Sequence, residues 1–125
     1  MSKQTVHTDR APRAIGPYSQ AVWAGDTLYL SGQLGLDPAS GVLPEGVENQ
    51  AHAAMRNIGA ILEAAGLTYD NVVKTTVFVW DLKDFSAVND VYASYFAGDY
   101  PARSCVQAAA LPKGALVEIE CVAVK

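Results

Sequence analysis

The strand-forming segments of this chain carry more apolar surface than its helices can cover. Two stretches, Thr75 to Val79 and Val117 to Val124, are rich in β-branched residues and apolar on much of both faces. Only two segments show helical periodicity. In the first, from about Gly46 to Ala65, Val47, Ala51, Ala54, Ile58, Ile61, Leu62 and Ala65 recur at helical spacing. In the second, from about Phe85 to Phe96, the stripe is Phe85, Val88, Tyr92, Tyr95 and Phe96, with Asn89 falling on it. Two such helices cover one face of a sheet, so the second face is expected to meet another copy of the chain.

The remaining segments complete an α+β pattern in the order β-β-β-α-β-α-β-β. Gln4 to His7 reads as a short strand. Ala21 to Ala24 and Thr27 to Ser31 flank Gly25-Asp26, a two-residue hairpin turn. Gly32 through Glu45 reads as a long loop. Asp84 is a plausible N-cap for the second helix, and Gly66 a natural C′ residue for the first. Pro112-Lys113-Gly114 is read as the turn of a closing hairpin between the last two strands. At 125 residues, half of them hydrophobic, the chain is read as a single domain, 1–125, with one core.

Charge and composition exclude several classes. The net charge of −4 and the lack of a basic run argue against nucleic-acid binding. No stretch is long enough to span a bilayer, and Met1 to His7 has no apolar leader core. A cytoplasmic location follows as the expectation, with Cys105 and Cys121 as reduced thiols. His7 and His52 do not read as metal ligands, and no phosphate-cradling loop or nucleophile elbow is found.

Arg103 is the sharpest chemical candidate. A guanidinium at the start of an apolar strand is costly to desolvate and needs an anionic partner. Local sequence leaves two options open: a structural ion pair with Glu118, Glu120 or another acid, or a bidentate clamp on a ligand carboxylate. Glu118, facing opposite to Val117 and Ile119, is an exposed polar-face residue or a general base in a cleft. The closing hairpin is expected to bring it near Arg103. Tyr18, Ser31, Gly32, Asn89 and Cys105 each have an ordinary structural explanation beside a functional one.

Pro101-Ala102-Arg103-Ser104-Cys105-Val106, followed by Leu116-Val117-Glu118-Ile119-Glu120, resembles the signature of the Rid family of reactive intermediate/imine deaminases. These are also called YjgF-type or liver perchloric-acid-soluble proteins. The resemblance continues through Ala14 to Gln20, Ser31-Gly32-Gln33, Ala64 to Leu67, Val73 to Val79, and Asp84-Phe85 with Asn89. It implies a chorismate-mutase-like fold, a six-stranded mixed sheet with two helices on one face. It also implies a homotrimer with a ligand cleft at each subunit interface.

The implied activity is hydrolysis of 2-imino acids, derived from enamines released by pyridoxal-phosphate dehydratases, to 2-keto acids and ammonia, without cofactor or metal. By position, Arg103 is implied to bind the substrate carboxylate. Glu118 is implied to activate water with help from the Cys105 backbone. Tyr18, Ser31, Gly32 and Asn89 are implied to line or support the cleft. The segment Ala97-Gly98-Asp99-Tyr100 is shorter than in some members, which bears on the cleft rim. The alternative reading is a regulatory trimer that binds small carboxylates without turnover; RNA cleavage or translation inhibition and protein holding are activities attributed to some relatives.

Overall fold

The computed structural model describes residues 3–125; Met1 and Ser2, part of the segment read for a leader, lie outside them. The elements are β1 (Gln4–Val6), β2 (Ala21–Ala24), β3 (Thr27–Leu34), α1 (Val47–Ala64), β4 (Val72–Val79), α2 (Phe85–Ala93), β5 (Ala102–Gln107) and β6 (Val117–Val124). They form one six-stranded mixed sheet in the order β1-β2-β3-β6-β4-β5. Only β4 and β5 run parallel; the other neighbours are antiparallel.

Both helices pack on the same sheet face. Ala54, Met55, Ile58, Ile61 and Leu62 of α1 and Val88, Val91 and Tyr92 of α2 are buried. They meet Leu28 and Leu30 of β3, Val77 and Val79 of β4, and Val117, Ile119, Cys121 and Ala123 of β6 in one cluster. Among the described residues no element covers the opposite face, and Tyr29 and Val106 are about half exposed there, at 52% and 45%. No helix among the described residues is long and apolar enough to cross a membrane.

Helix α1 ends as its sequence signals. Gly66 takes φ 80°, and its N–H donates to the Glu63 carbonyl while that of Leu67 donates to the Leu62 carbonyl. This is a Schellman closure, with the left-handed position filled by the residue that adopts it without steric cost. Helix α2 stops at Ala93 instead of Phe96. Beyond it the N–H groups of Tyr95 and Phe96 bond three residues back, to Tyr92 and Ala93, and the Ser94 hydroxyl donates to the Val91 carbonyl at 2.6 Å. The tightened turn still leaves Tyr95 and Phe96 packed on the core. Asp84 precedes α2 but makes no side-chain cap; Asp81 instead caps the short 3-10 turn Leu82–Asp84, accepting from the Lys83 N–H.

Two further expectations are corrected. Strand β3 does not end at Ser31 but continues to Leu34 through a bulge, Ser31 and Gly32 together standing against Glu120 of β6. The last two strands do not form a hairpin. Strand β4 lies between β5 and β6, so the segment from Ala108 to Leu116 crosses over it. The parallel pairing of β4 with β5, joined through α2, cannot be read from a turn signal alone.

Candidate functional site

Strand register decides where the charged residues go. Thr75 of β4 pairs with Arg103, and Phe78 of β4 pairs with Glu118. Thr75 and Phe78 are three residues apart, so their side chains leave opposite faces. Arg103 therefore points to the helix-covered side, and Glu118 to the open side. Within one chain the two are not neighbours, contrary to what the expected hairpin implied. Cys105, on the same face of β5 as Arg103, packs against the core, and Cys121 is buried on β6; both are free thiols separated by β4.

The surroundings of Arg103 are built by α2. Phe85, Asn89 and Tyr92 sit at i, i+4 and i+7, hence on one helical face. The Asn89 Oδ1 accepts from an Arg103 terminal nitrogen at 2.6 Å. The guanidinium carbon lies 5.0 Å from the Tyr92 ring centroid and 5.4 Å from that of Phe85. Such cation–π contacts fix its plane as well as stabilise its charge. The Tyr92 hydroxyl is paired with buried Thr75 at 2.7 Å. Burial raises the Tyr92 pKa, with the Thr75 hydrogen bond and the Arg103 charge opposing.

Arg103 thus has a neutral hydrogen-bond partner and two aromatic faces. Among the described residues it makes no ion pair; those present join His7 to Asp9, Arg10 to Glu63 and Lys83 to Asp81. A hollow of about 420 Å³ opens beside it, lined by Asn89, Tyr92, Ala93, Tyr100 and Pro101. Tyr100, from the short segment after α2, forms part of that rim. Burial raises the Cys105 pKa against the lowering effect of Arg103, which leaves the thiol a poor nucleophile at neutral pH.

Glu118 occupies a second hollow, of about 350 Å³, shared with Tyr18, Gly32, Leu34 and Leu36. Its carboxylate makes no hydrogen bond or ion pair to the described residues. Burial pushes its pKa up, and the like charge of Glu120 adds to the shift. A Cβ on Gly32 would come within 2.5 Å of the Glu118 Oε2, so the absent side chain is the space the carboxylate occupies. Gly32 lies within the bulge, where the register of β3 against β6 shifts between Leu30 and Gln33.

The loop carrying Tyr18 is fixed from below. The Ser31 hydroxyl donates to the Ser19 carbonyl at 2.6 Å. Buried Gln20 accepts from the Thr8 N–H and donates to the Thr8 and Pro12 carbonyls. Tyr18 itself is 53% exposed at the mouth of the hollow.

Sequence reading placed Phe85 and Tyr92 on the core stripe and missed their contact with Arg103. Their i, i+7 spacing around Asn89 was the available signal. The bulge at Ser31-Gly32 left no such signal, because it is a property of pairing with β6.

A six-stranded sheet of this order, with an arginine hollow on one side and a carboxylate hollow on the other, defines an α+β protein that carries two polar hollows on opposite sheet faces. The family model described as endoribonuclease L-PSP matches residues 8–125, and the chain belongs to this family, also called YjgF or Rid. It is 58% identical over 124 residues to a 2-iminobutanoate/2-iminopropanoate deaminase from Capra hircus, covering 98% of this chain and 90% of that relative. Among solved structures it is similar to E. coli TdcF with bound serine, at 45% identity and a TM-score of 0.95, with 98% of each chain covered. It is likewise similar to RidA from a Psychrobacter species, at 51% identity and a TM-score of 0.95, covering 98% of this chain and 99% of that one.

Proposed function

We propose that this chain hydrolyses 2-imino acids to 2-keto acids and ammonia, in clefts formed between copies of itself. The observation that carries the reading is Arg103: a guanidinium held by Asn89, Phe85 and Tyr92, without a carboxylate partner among the described residues. Its free edge suits a bidentate carboxylate. The high identity to relatives named 2-iminobutanoate/2-iminopropanoate deaminases supports the same substrate class.

Because Arg103 and Glu118 leave opposite faces, one chain alone does not clamp a carboxylate with the first and act on it with the second. An assembly of copies packing through the open sheet face, in our reading a homotrimer, would join the arginine hollow of one to the carboxylate hollow of the next. Half-exposed Tyr29 and Val106 on that face support such packing.

In the proposed reaction Arg103 binds the substrate carboxylate. The Glu118 carboxylate takes a proton from water as its oxygen bonds to the imine carbon, and the C=N π pair moves to nitrogen. The proton then passes from Glu118 to that nitrogen. Glu118 next takes the hydroxyl proton and passes it to the amino nitrogen, so that the C–N bond breaks, ammonia leaves and the C=O bond forms. The Cys105 backbone helps hold the water; Tyr18, Ser31 and Gly32 shape the cleft, and Asn89 holds the arginine. General-base assistance of this kind contributes about 10²- to 10⁴-fold. The scheme uses water as its only co-reactant.

The proposed substrates arise in the cytoplasm from enamines released by pyridoxal-phosphate dehydratases. A net charge of −4 matches a phosphate backbone poorly, so the deaminase reading is favoured over RNA cleavage.

A dehydratase-coupled assay with semicarbazide as competing trap tests the proposal. Adding the protein should speed keto-acid formation, and Arg103→Ala should abolish the effect while remaining folded by circular dichroism. Full activity in a folded Arg103→Ala variant would remove the clamp from the mechanism.

A further inference from the structure

The hollow that holds Glu118 also holds two cations that the proposed hydrolysis leaves unused. Arg13, in the loop before β2, and Lys113, in the turn before β6, both line it. Glu118 is the only acidic residue among its lining residues. Among the described residues neither cation joins an ion pair, and neither side chain makes a hydrogen bond. Among the described residues neither cation pairs with the Glu118 carboxylate, so both remain available to a ligand.

Lys113 carries a second mark. Its backbone lies in the left-handed region, at φ 58° and ψ 20°, and it is the only non-glycine residue with positive φ among those described. Glycine would adopt this geometry freely, whereas a side chain there works against a steric cost. A strained residue at the rim of a cleft is a reason to look for what its side chain contacts. Pro112 on one side and Gly114, at φ 69°, on the other hold the turn that presents it.

We infer that this cleft takes 2-imino acids whose side chain bears a carboxylate of its own, which Arg13 and Lys113 receive. The inference rests on the hydrolysis proposed above, in which Arg103 already takes the carboxylate next to the imine carbon. The second carboxylate then needs a separate receptor, on the wall that also presents Glu118. In a chain of net charge −4, two cations facing one cleft focus an acidic ligand there against the general repulsion.

The test compares 2-iminosuccinate, generated by an L-aspartate oxidase, with 2-iminobutanoate, generated by a threonine dehydratase, for the parent chain and for Arg13→Ala, Lys113→Gly and the double variant. Lys113→Gly suits the left-handed position, so loss of folding is not expected. The double variant should lower the kcat/KM ratio of dicarboxylic to monocarboxylic substrate by about five- to tenfold, a size fitting two solvent-exposed charges. Added salt should lower the same ratio in the parent.

An unchanged ratio, with both substrates turned over, overturns the inference. So does an equal loss on both substrates, which would make the two cations receptors for the common carboxylate. In parallel, calorimetry compares 2-oxoglutarate with 2-oxobutanoate as stable ligands. If the parent hydrolyses no imine, the hydrolysis reading fails and this arm decides alone. A 2-oxoglutarate preference lost in the double variant upholds the receptor; its absence in the parent overturns it.

Discussion

Replacing Gly32 with alanine should separate stability from activity in this protein. The added Cβ would lie 2.5 Å from the Glu118 Oε2, 2.9 Å from its Cδ and 3.1 Å from its Cγ. Ordinary contact begins near 3.4 Å, so the carboxylate must retreat by roughly 1 Å. It is the end of a flexible side chain, and among the described residues nothing bonds to it, so the retreat meets little resistance. Overpacking usually costs about 1–3 kcal/mol, and a movable obstacle places this case at the low end. The Gly32 backbone lies outside the left-handed region. Alanine therefore fits it and regains about 0.4–1 kcal/mol by restricting the unfolded chain. Net stability should change by no more than about 1 kcal/mol, measured by urea unfolding.

Activity should respond differently. A 1 Å misplacement of a reacting group can lower a rate by about 10²-fold. The coupled imine assay should show a loss of that order in kcat for Gly32→Ala. The same substitution in a Glu118→Gln background should cost little more, because the group it displaces is already disabled. A stable Gly32→Ala variant with parental kcat would refute the placement of Glu118 at the reacting centre. An equal further loss in the Glu118→Gln background would assign Gly32 a role independent of the carboxylate.

Two other outcomes follow from the same geometry. Tyr92→Phe keeps the ring beside Arg103 but leaves the hydroxyl of Thr75, only 2% exposed, without its partner. It should destabilise by about 1–3 kcal/mol, and adding Thr75→Val should restore part of this in urea unfolding. Glu118 holds its proton more tightly folded than unfolded, because burial and then Glu120 raise its pKa from 4.5. Stability should therefore fall as pH rises from the unfolded value through the raised one, and remain lowered above it. Glu118→Gln should accordingly raise Tm at pH 7 but not at pH 3, and the acid limb of the parental kcat/KM profile should lie above 4.5.

Much of this protein is written in local sequence. The helical stripes of Val47 to Ala65 and Phe85 to Phe96, the Gly25-Asp26 turn and the Gly66 terminus depend on neighbours within one or two turns of chain. Backbone sterics and short-range periodicity settle such features. The unusual cost of Arg103 is likewise visible in its apolar surroundings, and motif resemblance gave the family.

Which residues meet across space is another matter. Strand β4 inserts between β5 and β6, and this puts Arg103 and Glu118 on opposite faces. Side chains alternate along a strand, so a face is assigned by pairing register, which depends on partners dozens of residues away. The same long-range pairing creates the bulge that seats Gly32 against Glu118, and the packing of α2 that stacks Phe85 and Tyr92 on Arg103. Sequence alone therefore marked Arg103 as a costly charge in an apolar strand and Glu118 as a carboxylate facing away from its apolar neighbours. Tertiary structure decided that the chain divides them between two hollows, because register and strand order are properties of the closed sheet.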